Sequence, residues 1–190
     1  MDERALLKLL KDKDAYLEGH FLLSSGLHSS KYVQCALVLQ YPVHACALGE
    51  ELAKSFSHDA PDVVIAPALG GLIIGHEVAR ALKARFIFTE RIDGVMRLRR
   101  NFSLTPKEKA LVVEDVITTG GSAQEIVALA KKCGATVRGV GSIVDRAEKN
   151  IDFGTKYRCL IKIEVPVYKP ESCPLCQEGK VPLVKPGSRK

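Results

Sequence analysis

Residues 111–122 read LVVEDVITTGGS: an apolar run closing on two acids, then a Thr/Gly/Ser loop that opens a helical pattern. No other stretch narrows the fold as far. An uninterrupted apolar run bounded in this way is a strand covered on both faces, as in a parallel sheet. A polar loop and a helix start directly after it make a βα unit, and open α/β sheets bind ligands just outside the carboxyl ends of their strands. The helix that follows, over roughly 122–132, has its own boundary signals. Ser122 with Glu125 predicts a capping box, and Lys131, Lys132 and Gly134 mark the end.

Around this unit the chain alternates. Short apolar runs at 62–67 (DVVIAP), 85–89 (RFIFT), 109–114 (KALVVE), 136–145 and 156–165 predict strands, and helices are predicted over 42–56 and from Gly70-Gly71 to about Ala84. Strands alternating with helices imply an α/β fold: a mainly parallel twisted sheet with helices on both faces. At 190 residues the chain has room for a single domain. Residues 2–13 predict an amphipathic helix with Leu6, Leu9 and Leu10 on one side, and 16–40 predict short strands and turns outside the main sheet. These pieces suggest a small hood mainly from residues 1–40 with flanking pieces, a core over about 41–165, and an extended tail over 166–190 packed on the surface or partly disordered. Asp93-Gly94 between Ile92 and Val95 predicts a two-residue hairpin. With Arg91, Arg97, Arg99, Arg100 and Lys107 nearby, that hairpin is a candidate lid over an anionic substrate.

The loop from Thr118 to Ser122 suits a phosphate. Its backbone amides can surround one, the helix dipole favours negative charge, and the glycines allow close approach. It lacks the GxxxxGK[ST] pattern of nucleotide-triphosphate loops and the GxGxxG dinucleotide fingerprint. Glu114 and Asp115 beside such a cradle make sense when the ligand also carries hydroxyls or a cation, as a ribose 5-phosphate does. The plainer alternative is a strand that ends in acids and turns into a helix.

VVEDVITTGGS resembles the phosphoribosyl pyrophosphate motif of type I phosphoribosyltransferases. The resemblance implies a parallel sheet with a hood, magnesium as cofactor held mainly through substrate oxygens and water rather than directly by protein side chains, and a diphosphate loop early in the sheet, where Pro67-Ala68-Leu69-Gly70-Gly71 stands. It implies catalytic roles for Glu114 and Asp115. Donor contacts are implied for Glu114, Asp115, Val116, Ile117, Thr118, Thr119, Gly120, Gly121, Ser122 and Gly70; Arg91 joins this set on charge and position. Residues 19–32 (GHFLLSSGLHSSKY) and Val144-Asp145-Arg146 are similar to the orotate phosphoribosyltransferases, and with the tail the likeness covers nearly the whole chain. That branch implies orotate and 5-phosphoribosyl 1-diphosphate as substrates and a homodimer in which a lid closes over the neighbouring site. Thr118 and Arg146 become the orotate-binding candidates. A guanidinium can clamp the ring carboxylate that distinguishes orotate from uracil.

The chain departs from that pattern in places. Ser24 and Gly70 stand where many members have Lys, and the hairpin lacks the Lys-x-x-Lys-x-His arrangement of longer lids. Lid roles for Arg91, Arg97, Arg99 and Arg100 therefore rest on charge and position alone.

The net charge of +6 fits polyanionic ligands, and with no Trp and no long basic block a nucleic-acid partner is not expected. No apolar run is long enough to span a membrane, and the start lacks a secretory signal, so a cytoplasmic protein without membrane contact is expected. Six cysteines then read as thiols. Cys173 and Cys176 offer half a zinc site, but no second cysteine pair follows, so a metal-free tail is the expectation. The rival readings are transfer to another base, a non-catalytic regulator that keeps this fold, and a zinc-dependent interaction module.

Overall fold

The computed structural model describes residues 1–23 and 25–186. Ser24 and the last residues of the tail, 187–190, lie outside the described residues. The elements in chain order are α1 (Glu3–Asp12), β1 (Tyr16–Leu22), β2 (His28–Val33), α2 (Ala36–Leu39), α3 (Pro42–Lys54), β3 (Val63–Pro67), α4 (Gly71–Leu82), β4 (Arg85–Ile92), β5 (Val95–Leu98), β6 (Lys109–Ile117), α5 (Gly121–Lys132), β7 (Thr136–Asp145), β8 (Tyr157–Lys162), β9 (Val167–Tyr168) and α6 (Pro174–Glu178).

A six-stranded sheet runs in the order β5-β4-β3-β6-β7-β8. All neighbours are parallel except β4 and β5, which pair antiparallel through the expected hairpin. Asp93 and Gly94 both have positive φ (49° and 78°), as a type I′ turn requires. The period-two logic of strands divides the central residues between two cores. Val64, Leu111, Val113 and Ile143 face α3 and α4, with Leu52, Phe56, Ile74 and Val78. Val63, Ile65, Val112 and Val140 face α5, with Ile126, Val127 and Ala130. Each fully buried side chain of this kind contributes about 1.5–3 kcal/mol, which is why the strands with no polar interior positions form the middle of the sheet.

The hood is a second sheet of order β1-β2-β9. Its third strand comes from the tail, one of the flanking pieces expected to join the N-terminal segment there. The tail is more than an extended strap: besides β9 it forms α6, and Val184 bridges to Phe21. Two elements of the N-terminal segment belong to the core instead. Leu6 and Leu10 of α1 and Val38 and Leu39 of α2 are buried in the cluster that covers one face of the main sheet. The sequence reading did not anticipate α2, whose four residues are too few to show periodicity.

Candidate active site

β6 and β7 end side by side, pairing Val116 with Val144 and Ile117 with Asp145. This register brings the Thr/Gly loop and Arg146 to one edge of the sheet, and the Arg146 amide donates to the Ile117 carbonyl (2.9 Å). Gly120, at the N-cap of α5, has φ +76°, and a Cβ there would lie 2.9 Å from Ile151. Only glycine fits both the turn and the contact. The first α5 bond runs from the Gln124 amide to the Gly120 carbonyl, leaving the amides before it for a ligand. Glu114, Val116, Thr118, Thr119, Gly120, Gly121 and Ser122 line a cavity of about 130 Å³, the size of a small anion site. The expected capping box does not form: no side chain caps α5. Glu125 turns instead to the hairpin, accepting from the Met96 amide (3.2 Å) and from Arg91 (2.8 Å).

The two acids at the end of β6 are half-buried, and among the described residues neither makes an ion pair. Burial, with Asp115 next to it, pushes the Glu114 carboxyl up to about 7, against a smaller opposing effect of Arg91. Burial also raises Asp115, opposed by its hydrogen bonds to backbone amides. Buried acids of this kind fit a ligand that brings hydroxyl donors or a hydrated cation to them. The β3–α4 loop meets Asp115 directly. A Cβ on Gly70 would stand 2.7 Å from the Asp115 Oδ1, so a residue with a side chain here would press on the carboxylate. The Ala68–Leu69 peptide of this loop is cis.

Arg146 lies behind a second cavity, of about 510 Å³, shared with Thr118, Thr119 and Ile151 from the core. Leu23, Ser25 and Leu27 from the hood, Ala147, Glu148, Lys149 and Val165 from the core, and Val167 from the start of the tail complete it. The guanidinium Nε is buried without a hydrogen-bond partner among the described residues. Burial lowers the Arg146 pKa, partly offset by Tyr32 of the hood. Sequence reasoning found Arg146 and Thr118 but not the tail's Val167, whose apolar surroundings are too short to signal a wall.

The hairpin arginines stand differently from a free lid. Arg91 is held by Glu125, and Arg99 and Arg100 by Glu90; among the described residues Arg97 has no ion pair. Met96 is buried against α5, so the hairpin is an edge of the sheet and not a detached flap.

Residues 45–169 match the phosphoribosyl transferase domain family. The orotate phosphoribosyltransferase of Thermotoga petrophila is 52% identical over 182 residues, which cover 96% of this chain and 97% of that protein. The chain belongs to the orotate phosphoribosyltransferase family. The family's enzyme from Caldicellulosiruptor bescii is likewise 52% identical, over the full length of both chains. Among solved structures, the orotate phosphoribosyltransferase of Aeropyrum pernix superposes with a TM-score of 0.69 at 26% identity, covering 83% of this chain and 93% of that one. The type I phosphoribosyltransferase fold expected from the β6–α5 motif is thus the fold of this member of the family.

Proposed function

We propose that the protein transfers ribose 5-phosphate from 5-phosphoribosyl 1-diphosphate to orotate, giving orotidine 5-phosphate and diphosphate. The observation that carries the choice of base is Arg146: a half-buried guanidinium whose Nε is buried and, among the described residues, unpartnered, in the same cavity as Thr118 and next to the phosphate-sized cradle. A neutral ring would leave that charge uncompensated, whereas the orotate carboxylate accepts from it.

In this reading the amides of Thr118–Ser122 hold the 5-phosphate, with Val116 and Ile117 setting the approach of the loop. Glu114 and Asp115 accept from the ribose hydroxyls, and Asp115 faces the positive charge that builds on the sugar as its bond to diphosphate breaks. Gly70 and the β3–α4 loop receive the diphosphate. Magnesium, if held mainly by donor oxygens and water beside Glu114 and Asp115, would supply charge neutralisation for the leaving diphosphate. Arg91, Arg97, Arg99 and Arg100 of the hairpin are candidates to assist, by charge and by their place at the sheet edge. The three that are paired sit in exposed ion pairs, worth about 0–1 kcal/mol each, so exchanging a glutamate for a diphosphate costs little.

Dimerisation belongs to the same proposal. Leu69, in the diphosphate loop, and Ile73, in the first turn of α4, are exposed apolar side chains that a second copy would cover. Among the described residues no helix is long and apolar enough to cross a membrane, and a cytoplasmic location accords with that and with the free thiols.

A base panel tests the reading. The purified protein with donor and magnesium should consume orotate and leave uracil, adenine and hypoxanthine untouched. Consumption of another base would reject the role given to Arg146, and donor binding without turnover of any base would favour a regulator.

A further inference from the structure

Four side chains outside the active site converge where the tail crosses the hood. His20 comes from β1, His28 from β2, and Cys173 and Cys176 from the segment that enters and forms α6. Their ligand atoms all lie within 4.8 Å of one another. His20 Nε2 is 3.1 Å from His28 Nδ1, 3.5 Å from the Cys173 Sγ and 3.6 Å from the Cys176 Sγ, and the Cys176 Sγ is 3.3 Å from His28 Nδ1.

From these distances we infer that His20, His28, Cys173 and Cys176 form a structural zinc site that fastens the tail to the hood. Zinc bonds of about 2.3 Å to sulfur and 2.0–2.1 Å to nitrogen, arranged tetrahedrally, place nitrogens about 3.3 Å apart and nitrogen and sulfur about 3.6 Å apart. The measured separations agree with those edges to within a few tenths of an ångström.

The surroundings select the right form of His20. Its Nδ1 lies 3.2 Å from the Val181 carbonyl, which can only accept, so Nδ1 carries the proton and the Nε2 lone pair points into the cluster. A ring nitrogen opposite the metal that donates to a carbonyl is the usual support of a zinc-bound histidine. Three of the four residues are buried, and thiols are too weak as hydrogen-bonding groups to account for two of them gathered around two imidazoles. A mixed sulfur and nitrogen set with four protein ligands leaves no open position, which marks a structural rather than a catalytic site.

The placement gives the metal a task. The Leu22 amide donates to the Val184 carbonyl (2.8 Å) and the Val184 amide to the His20 carbonyl (2.9 Å), so the tail crosses β1 beside the cluster. His28 follows directly on Leu27, which with Leu23 and Ser25 lines the Arg146 cavity. Zinc here would hold that hood loop and the tail in one piece.

The test is metal analysis of the full-length protein purified without chelators or affinity metals, together with cobalt substitution. About one zinc per chain is expected, lost to background in Cys176→Ser, whose side chain is exposed and whose fold should survive. Cobalt added to the metal-free protein should give the intense visible bands and thiolate charge transfer of a tetrahedral site with two sulfurs. Removal of the metal should lower the unfolding temperature of the native protein but not of Cys176→Ser. A metal-free protein without cobalt bands, a Cys173–Cys176 disulfide, or zinc retained unchanged by Cys176→Ser would each overturn the proposal.

Discussion

In the proposed reaction Arg146 and Glu114 each have a role that a single substitution can test. Arg146 stands at the end of a strand whose neighbour carries the phosphate loop, so topology alone places it at the site. What the sequence could not show is that its Nε is buried and, among the described residues, unpartnered, because the cavity beside it is closed by residues far away in the chain, from the hood and the start of the tail. Truncating one partner of a buried charged pair costs about 2–5 kcal/mol. Arg146→Ala should therefore lower kcat/KM for orotate by at least roughly thirty-fold, while the donor dissociation constant, read by calorimetry, stays near that of the parent. Equal loss of both would reject the carboxylate clamp. Glu114 gives a pH signature. Its folded-state pKa, about 7, lies above its ordinary 4.5, so between those values the folded protein holds more protons than the unfolded chain. Without ligand, stability should fall as pH rises through that window, and the full cost should be present above about pH 7. The donor hydroxyls favour the ionised form, so donor affinity should rise with pH up to about 7 and then level. The slope should vanish in Glu114→Gln; an unchanged slope would assign the proton to another group.

At the scale of elements, β3 and the Ala110–Val113 stretch of β6 were legible as unbroken apolar runs, and β7 was legible despite the buried Ser142 within it. The hairpin was legible because Asp-Gly is one of few pairs that tolerate positive φ at both turn positions. The start of α5 was misread for an instructive reason. Ser122 and Glu125 satisfy the local capping rule, but Glu125 gains a guanidinium and a backbone amide from the hairpin, which the local pattern does not contain. Gly120 at the N-cap then makes the turn, and a paired substitution tests it. Gly120→Ala puts a Cβ at φ +76° and 2.9 Å from Ile151. Backbone strain of about 1–2 kcal/mol and overpacking of about 1–3 kcal/mol should together destabilise by about 2–5 kcal/mol. That corresponds to roughly 4–20 °C in Tm, with weaker donor binding. At Gly121 the nearest atom to an added Cβ is 3.7 Å away and φ is ordinary, so Gly121→Ala should leave Tm unchanged or slightly raised. Similar losses at both positions would mean that the loop is sensitive to any side chain and not to the geometry of Gly120.

For the whole molecule, the hood is where sequence reading had least to work with, since its closure depends on partners more than a hundred residues apart. β9 has two residues, and its register with β2 is fixed by Ser29 facing Val167, with the Ser29 hydroxyl donating to the Pro166 carbonyl at 2.7 Å. Neither residue announces that pairing. The six-stranded sheet, by contrast, contains no residue beyond Lys162, and the phosphate cradle is built from β6 and α5 alone. These facts separate the two halves of the site. Ending the chain at Val165 removes β9, α6 and the Val167 wall of the Arg146 cavity but leaves both buried clusters of the main sheet. The truncated protein should still unfold cooperatively and bind the phosphoribosyl donor within a few-fold of the full chain, while turnover of orotate falls at least as far as in Arg146→Ala. Donor binding lost along with turnover would show that the hood supports the phosphate loop as well, and that the tail is part of one cooperative unit with the sheet.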